Sequence, residues 1–393
     1  MKEPFNIMML INLIDKRIAP ICSRSRQTLA NGRRDRPNSG EFGYENATPI
    51  KRANFFVSAL SIAPIVLFLT GNSAHAADRV AIHGSTGIGE IILTGNVLDW
   101  TGEQLNIRVG KEAIRKIDAD RVKSVDTVRL ADHVAGITAL AEGRIDEAEA
   151  RLKQALDAEP RTWMRREILA QLVRTDLARG DRLAAGTHFL ALFESDPHTF
   201  WFNRIPLDWR VEPPEARNLD TARNWMRPGE SDAAGLVGAS ILLLHPTAEA
   251  RAVERLEQLA VSGDHRIFPL ARAQLWRLEL REESTSRLEV ERWTDRLDEI
   301  PETLRGGPRY LIGHGYASIG NPERAATNWL WLPLVYDQDP RLAAEAEILA
   351  AEQLTKIGKP LDAIVLYREV IERFEYTPSH EIAKQALKTM ADH

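Results

Sequence analysis

The chain has 393 residues, 44% apolar and 27% charged, with a net charge of −5. At about 150 residues per domain this allows two or three compact units. The ordinary composition excludes a disordered chain, a collagen-like fibre, a disulfide scaffold and a polytopic membrane protein, and the acidic balance argues against nucleic acid as a ligand.

Residues 1–50 read as a leader. Phe5 to Ile14 is a short apolar run, and Arg33-Arg34-Asp35-Arg36-Pro37 lies among Gly, Asn and Ser, a composition that does not fold alone. A start codon assigned too far upstream would produce the same stretch. Residues 51–76 read as an export signal. Lys51 and Arg52 precede an uncharged run from Phe55 to Thr70, which closes on Ala74-His75-Ala76, with Ala77 as the expected new N-terminus. If uncleaved, residues 53–71 would serve as a membrane anchor. Either outcome places the rest of the chain outside the cytoplasm. After Ala76 the chain holds 41 basic and 51 acidic residues, and the one cysteine, Cys22, lies in the leader. Disulfides, thiolate metal sites and cysteine catalysis are therefore not expected beyond it.

Residues 77–127 carry short apolar segments separated by turn residues. Arg79–His83, Glu90–Trp100, Leu105–Val109 and Ile114–Val125 predict four or five strands, with Thr101-Gly102-Glu103 as one turn. A small closed barrel would protect the edges of so short a sheet. Gly84 and Gly89 have the spacing of a phosphate-binding loop. Glu90 stands where its lysine belongs, so a hairpin turn is expected. Gly95-Asn96-Val97, followed by a turn and Leu105-Asn106-Ile107, resembles SH3-like and Sm-like barrels. Around Asp99 the Asp and Asn of the Sm pattern are not reproduced. RNA binding is the reading only if the chain is not exported.

From Val128 the period becomes helical and an internal repeat emerges. Gly136, Ala139, Gly143, Ala148, Leu152, Ala155 and Pro160 set the pattern, and Gly180, Ala185, Phe189, Leu192 and Pro197 repeat its second half. Gly313, Tyr316, Gly320, Ala325 and Trp329 repeat it again, followed by Ala351, Leu354, Gly358, Ala363, Tyr367 and Val370. This resembles the tetratricopeptide repeat family. The resemblance implies a mainly α fold, an α-α superhelix of helical hairpins behind a small all-β, barrel-like domain. Gly143, Gly180, Gly320 and Gly358 should end first helices in a left-handed conformation. Repeats are expected over 128–197 and 306–393, the latter closing on a capping helix from Ser379. Degenerate helical repeats are expected over 232–305, as four helices: Ala233–His245, Ala248–Val261, Phe268–Arg281 and Ser286–Glu299. Residues 198–231, with Phe200-Trp201-Phe202, Trp209 and Pro213-Pro214, break the pattern.

The family binds peptides or helices in a groove lined by first helices. Its offsets point to His133 and Ile137, Ala170 and Arg174, Tyr310 and His314, and Ile348 and Glu352. The Lys and Asn set of the family's carboxylate clamp is missing. Phe200, Trp201, Phe202 and Trp209 form either an aromatic contact patch or a plug in a bend of the stack. The histidines are dispersed and no nucleophile motif stands out, so no enzyme, metal or cofactor is expected. The C-terminal repeat, Ala363 to Tyr367 through Phe374 and Pro378, resembles those of exported bacterial repeat proteins. The leading expectation is an exported scaffold or adaptor of the bacterial cell envelope with a protein or peptide partner. The alternative is a ligand-binding or enzymatic protein with a pocket near 198–231.

Overall fold

The computed structural model of the protein describes residues 77–84, 89–111, 113–213, 219–282 and 285–391. The leader, the export stretch with its anchor alternative, the middle of the Gly84–Gly89 turn and Pro214 lie outside these residues.

Alternation of apolar and polar residues makes five strands: β1 (Asp78–His83), β2 (Glu90–Trp100), β3 (Gln104–Val109), β4 (Ala113–Asp118) and β5 (Val122–Asp126). They form an antiparallel sheet of order β4-β3-β2-β1-β5. The expected Ile114–Val125 segment divides at a 3-10 turn, Ala119–Arg121, which separates β4 from β5. Thr101 closes the β2–β3 turn: the backbone N–H of Gln104 donates to its hydroxyl at 3.1 Å. The chain divides into two compact units. The smaller holds β1, the start of β2 and β5, and buries Val80, Ile82, Leu93 and Val122. The larger holds the rest of β2, β3, β4 and every helix, and its strands bury Val97, Leu105, Ile107 and Ile117.

Fourteen α-helices follow among the described residues. The first four make two hairpins: α1 (Ala131–Ala141) with α2 (Ile145–Ala158), and α3 (Thr162–Arg179) with α4 (Arg182–Ser195). The middle contains the short α5 (Asp220–Trp225), then α6 (Asp232–Leu242), α7 (Glu249–Leu259), α8 (Ile267–Arg281) and α9 (Arg287–Arg296). The last block is α10 (Gly306–Ser318), α11 (Pro322–Val335), α12 (Pro340–Lys356), α13 (Pro360–Arg373) and α14 (Ser379–Ala391). Successive helices pack on one another in series. α6 falls within the nearly all-apolar run and α7, α8 and α9 where amphipathicity places them, although α9 gives way to a 3-10 turn at Leu297–Glu299. The aromatic stretch 198–231 is not wholly irregular, since it contains α5 and a 3-10 turn at Phe202–Arg204.

The repeat chemistry is visible in the packing. Gly143, Gly180, Gly320 and Gly358 have φ of 72°, 87°, 72° and 73°, and each follows a first helix. Two helix glycines permit close crossings. A Cβ on Gly136 would stand 2.7 Å from Leu152 Cγ, and one on Gly313 would stand 2.5 Å from Trp329 Nε1. Ala148, Ala185, Ala325 and Ala363 are buried at the crossings, and Leu152, Phe189, Trp329 and Tyr367 fill the spaces beside them. Caps start several helices. Asp181 accepts from the N–H of Ala184, Asn321 from Arg324 and Asp339 from Leu342, while Ser286 and Glu289 form a reciprocal capping box.

Candidate functional site

One segment of the chain is bonded to several helices that are far apart in sequence. Residues 199–213 leave α4 and run mostly without regular structure between helices far apart in sequence. We refer to them as the strap. Phe202, Leu207, Asp208 and Trp209 of the strap are buried. Arg204 Nη1 donates to the carbonyl of Ala170 in α3. Arg182 Nη1 in α4 donates to the carbonyl of Leu207 at 2.8 Å. The N–H of Asp208 donates to Ser240 Oγ in α6, and Arg277 Nε in α8 donates to the carbonyl of Arg210 at 2.7 Å. Trp209 lies against Gly307 in α10. Five helices thus hold one segment.

Asp208 is the charged centre of this arrangement. Arg210 binds it through two guanidinium nitrogens at 3.0 and 2.9 Å, and Arg182 Nε stands 3.8 Å away. Burial by itself would raise this carboxyl. Arg182, the Arg210 hydrogen bond and Arg277 outweigh it and hold Asp208 far below the usual carboxylate range. Arg277 is fully buried, and burial pushes its guanidinium down to about 10 against the pull of Asp208. A buried carboxylate with guanidinium partners is a structural anchor whose loss leaves uncompensated charge.

The first helices also touch across the stack. Arg341 at the start of α12 donates from Nε to the carbonyl of Ala178 at 2.9 Å, near the C-terminal end of α3. Arg174 pairs with Asp337 at 3.1 Å, and Arg182 pairs with Asp339 at 2.9 Å. Beside the strap remains a cleft of about 60 Å³, lined among others by Arg182, Asn203, Arg204, Gly306, Tyr336 and Asp339. Pockets for drug-sized ligands run to about 300–1,000 Å³, so this space suits a few atoms only.

The eight groove positions differ in burial. His133, Ala170, Tyr310 and Ile348 are buried, Ile137, Arg174 and His314 are half-buried, and Glu352 is exposed. Ala170 and Arg174 lie by the strap, the first accepting Arg204 and the second held by Asp337. Tyr310 donates its hydroxyl to Glu345 at 2.5 Å, and its ring is 4.7 Å from that of His314. His314 meets Trp329 on its other side at 5.1 Å, and burial pushes it down to about 4. His133 Nε2 is 3.9 Å from Glu167, and burial lowers this histidine as well. Gly313 and Gly315 beside His314 are packing residues: a Cβ on Gly315 would stand 2.8 Å from Val290.

The aromatic residues divide in two. Phe202 and Trp209 are buried in the strap. Phe200 is exposed, and its ring packs 4.9 Å from Trp100 and 5.0 Å from the half-buried Trp201. The cluster around Phe200 is held by a residue that sequence reasoning did not single out. Arg166 of α3 donates to Asp99 at 2.8 Å, to the carbonyl of Trp100 at 3.1 Å and to Ser195 Oγ at 2.8 Å. Its partners lie in two stretches of sequence far from it, at Asp99-Trp100 and Ser195, so no spacing could announce it. The same holds for Asp208 and Arg277.

No group of three or more metal-ligating side chains occurs among the described residues, and none of their helices is long and apolar enough to cross a membrane. Compared with protein-family models, with curated proteins and with solved structures, the chain matches none.

Proposed function

We propose that the protein is an exported tetratricopeptide-like scaffold or adaptor of the bacterial cell envelope, carrying a small SH3-like barrel ahead of its repeats. One observation carries the repeat reading. All four turn glycines picked out by the repeat spacing sit in the left-handed conformation at the end of a first helix. The strand order β4-β3-β2-β1-β5, with a 3-10 turn between β4 and β5, supports the barrel reading.

A scaffold, rather than an enzyme, is favoured by the strap. Its Phe202, Asp208 and Trp209 are buried, and the neighbouring cleft has room for only a few atoms. In this reading a protein or peptide partner docks on outward surfaces of the helices or on the sheet, with no cofactor. Export rests on the basic, apolar and Ala74-His75-Ala76 succession of residues 51–76. The acidic exported portion disfavours RNA.

The test is fractionation of producing cells, mass spectrometry of the N-terminus, and crosslinking with pull-down from envelope fractions. The expected result is a chain beginning at Ala77 in the envelope or periplasm, with at least one partner retained above background. An intact Met1 in the cytosol would overturn the localisation, and empty pull-downs would overturn the scaffold role.

A further inference from the structure

β4 stands at one end of the sheet and pairs only with β3 among the described residues. Five of its six residues are exposed, Ile117 being the exception. No hydrogen bond joins its backbone to any other element among the described residues. Alternate N–H and C=O groups along such an edge point away from the sheet and form a template for one more strand.

The hairpin that ends in this edge, Gln104–Asp118, carries Arg108, Lys111, Arg115 and Lys116 against Glu112 and Asp118, a net of +2 in a chain of −5. All four cations are exposed, and none has an ion pair or a side-chain hydrogen bond among the described residues. Lys123 of β5, by contrast, is paired with Glu90. Successive side chains of a strand point to opposite faces. Lys116 and the exposed Ile114 therefore share a face with Arg108, the cross-strand partner of Ile114, while Arg115 shares the other face with Ile107. Cations thus stand on both faces of the edge, and Lys111 lies in the turn beside it.

This distribution selects the occupant. A flat anionic surface such as a bilayer would meet one face only. A second copy of β4 would set Arg115 and Lys116 against their own kind, and like charges directly opposite one another destabilise a strand pair. A strand added from another protein places its side chains alternately on both faces, so acidic residues along it would meet Lys116 on one and Arg115 on the other.

We propose that β4 is a docking edge for an acidic, extended peptide segment of a partner protein, which joins the sheet as a further strand. The inference rests on the protein-binding reading above and gives that partner its chemistry.

The test is isothermal titration of the purified protein with three synthetic eight-residue peptides. The first sets adjacent pairs of glutamates among valine and threonine, the second replaces each glutamate by lysine, and the third keeps the glutamates but has proline at its central apolar positions, which removes backbone donors. Saturable binding is expected for the first, weakened by added salt, with none for the second and at least tenfold weaker binding for the third. Arg115→Glu and Lys116→Glu are each expected to weaken binding at least fivefold, with circular dichroism checking that they fold. Amide exchange over residues 113–118 should slow in the complex. Absence of saturable binding by the first peptide, equal binding of the proline peptide, or unchanged affinity in both variants would overturn the proposal. Tighter binding of phosphatidylglycerol vesicles or of single-stranded RNA than of the first peptide would overturn it too. If a variant does not fold, the peptide series decides. A pull-down that retains the same partner with both variants would remove the edge and leave the scaffold role standing.

Discussion

The indole of Trp209 occupies the space that any side chain at residue 307 would need: a Cβ on Gly307 would stand 1.9 Å from Trp209 Cε2. Trp209 is buried, and Gly307 begins the second residue of α10, so a bare backbone is what lets the strap lie against that helix. Overpacking a site of this kind costs about 1–3 kcal/mol. Gly307→Ala is therefore expected to lower stability by at least that much in urea unfolding. Trp209→Ala should cost about 3–5 kcal/mol through the cavity left behind. The two changes should be strongly non-additive, because removing the indole removes the clash. Additive losses would show that the two residues do not meet.

Arg341 joins the ends of two first helices, α3 and α12, by donating to the carbonyls of Ala178 and Arg179. The carbonyls at the end of a helix lack partners within it. Arg341→Ala should cost about 1.5–3 kcal/mol, the worth of a hydrogen bond to a charged group. Hydrogen exchange should speed up around residues 178–182 and 337–345 while the sheet residues keep their protection. Uniform acceleration across the chain would contradict a local joint.

Glu347 of α12 is buried, and its Oε2 has no hydrogen-bond partner. Burial, followed by the negative charge of Glu369, pushes its carboxyl up to about 9, against the opposing pull of Arg373. The folded protein therefore keeps this proton after the unfolded chain has lost it. The stability linked to it is complete below the ordinary value near 4.5 and is lost as pH rises through about 9. The expected result is that Tm of the unaltered protein falls relative to Glu347→Gln between pH 5 and pH 9, by at least about 2 °C. Parallel curves would rule this out.

His314 titrates in the opposite sense. Burial lowers it from 6.5 to about 4, so the folded protein holds a neutral ring while the unfolded chain takes up a proton. The stability linked to it is present above about 6.5 and is lost as pH falls toward 4, by at most ~3 kcal/mol. His314→Phe should flatten that acid limb. The neighbouring Tyr310 and Trp329 leave an aromatic site for the new ring. Chemical denaturation at pH 5 and pH 7.5 measures the difference, and an unchanged acid limb would exclude His314 as its source.

The helices and their turns were legible because each rests on local rules. Gly143, Gly180, Gly320 and Gly358 announce left-handed caps, and Asn321-Pro322 announces a helix start. Ala233 to His245 is nearly all apolar and so reads as buried on most sides, and its residues are buried as far as Leu244. The break of Ile114–Val125 into two strands was not legible, since a 3-10 turn at Ala119–Arg121 leaves no glycine or proline to mark it. The candidate groove residues were only addresses. Tyr310 and Arg174 take their surroundings from Glu345 and Asp337, and no periodicity connects those pairs.

By itself the chain determined where apolar side chains recur, where glycine permits a left-handed turn, and which face of each helix must leave water. Those properties depend on neighbours a few residues apart, so they can be written in a linear pattern. Only the tertiary structure decided that Phe202, Leu207, Asp208 and Trp209 are buried against helices far apart in sequence, that Asp208 meets Arg182, and that Arg204 reaches the carbonyl of Ala170. Long-range charge pairing and burial arise when the helices pack, and no local preference carries that information.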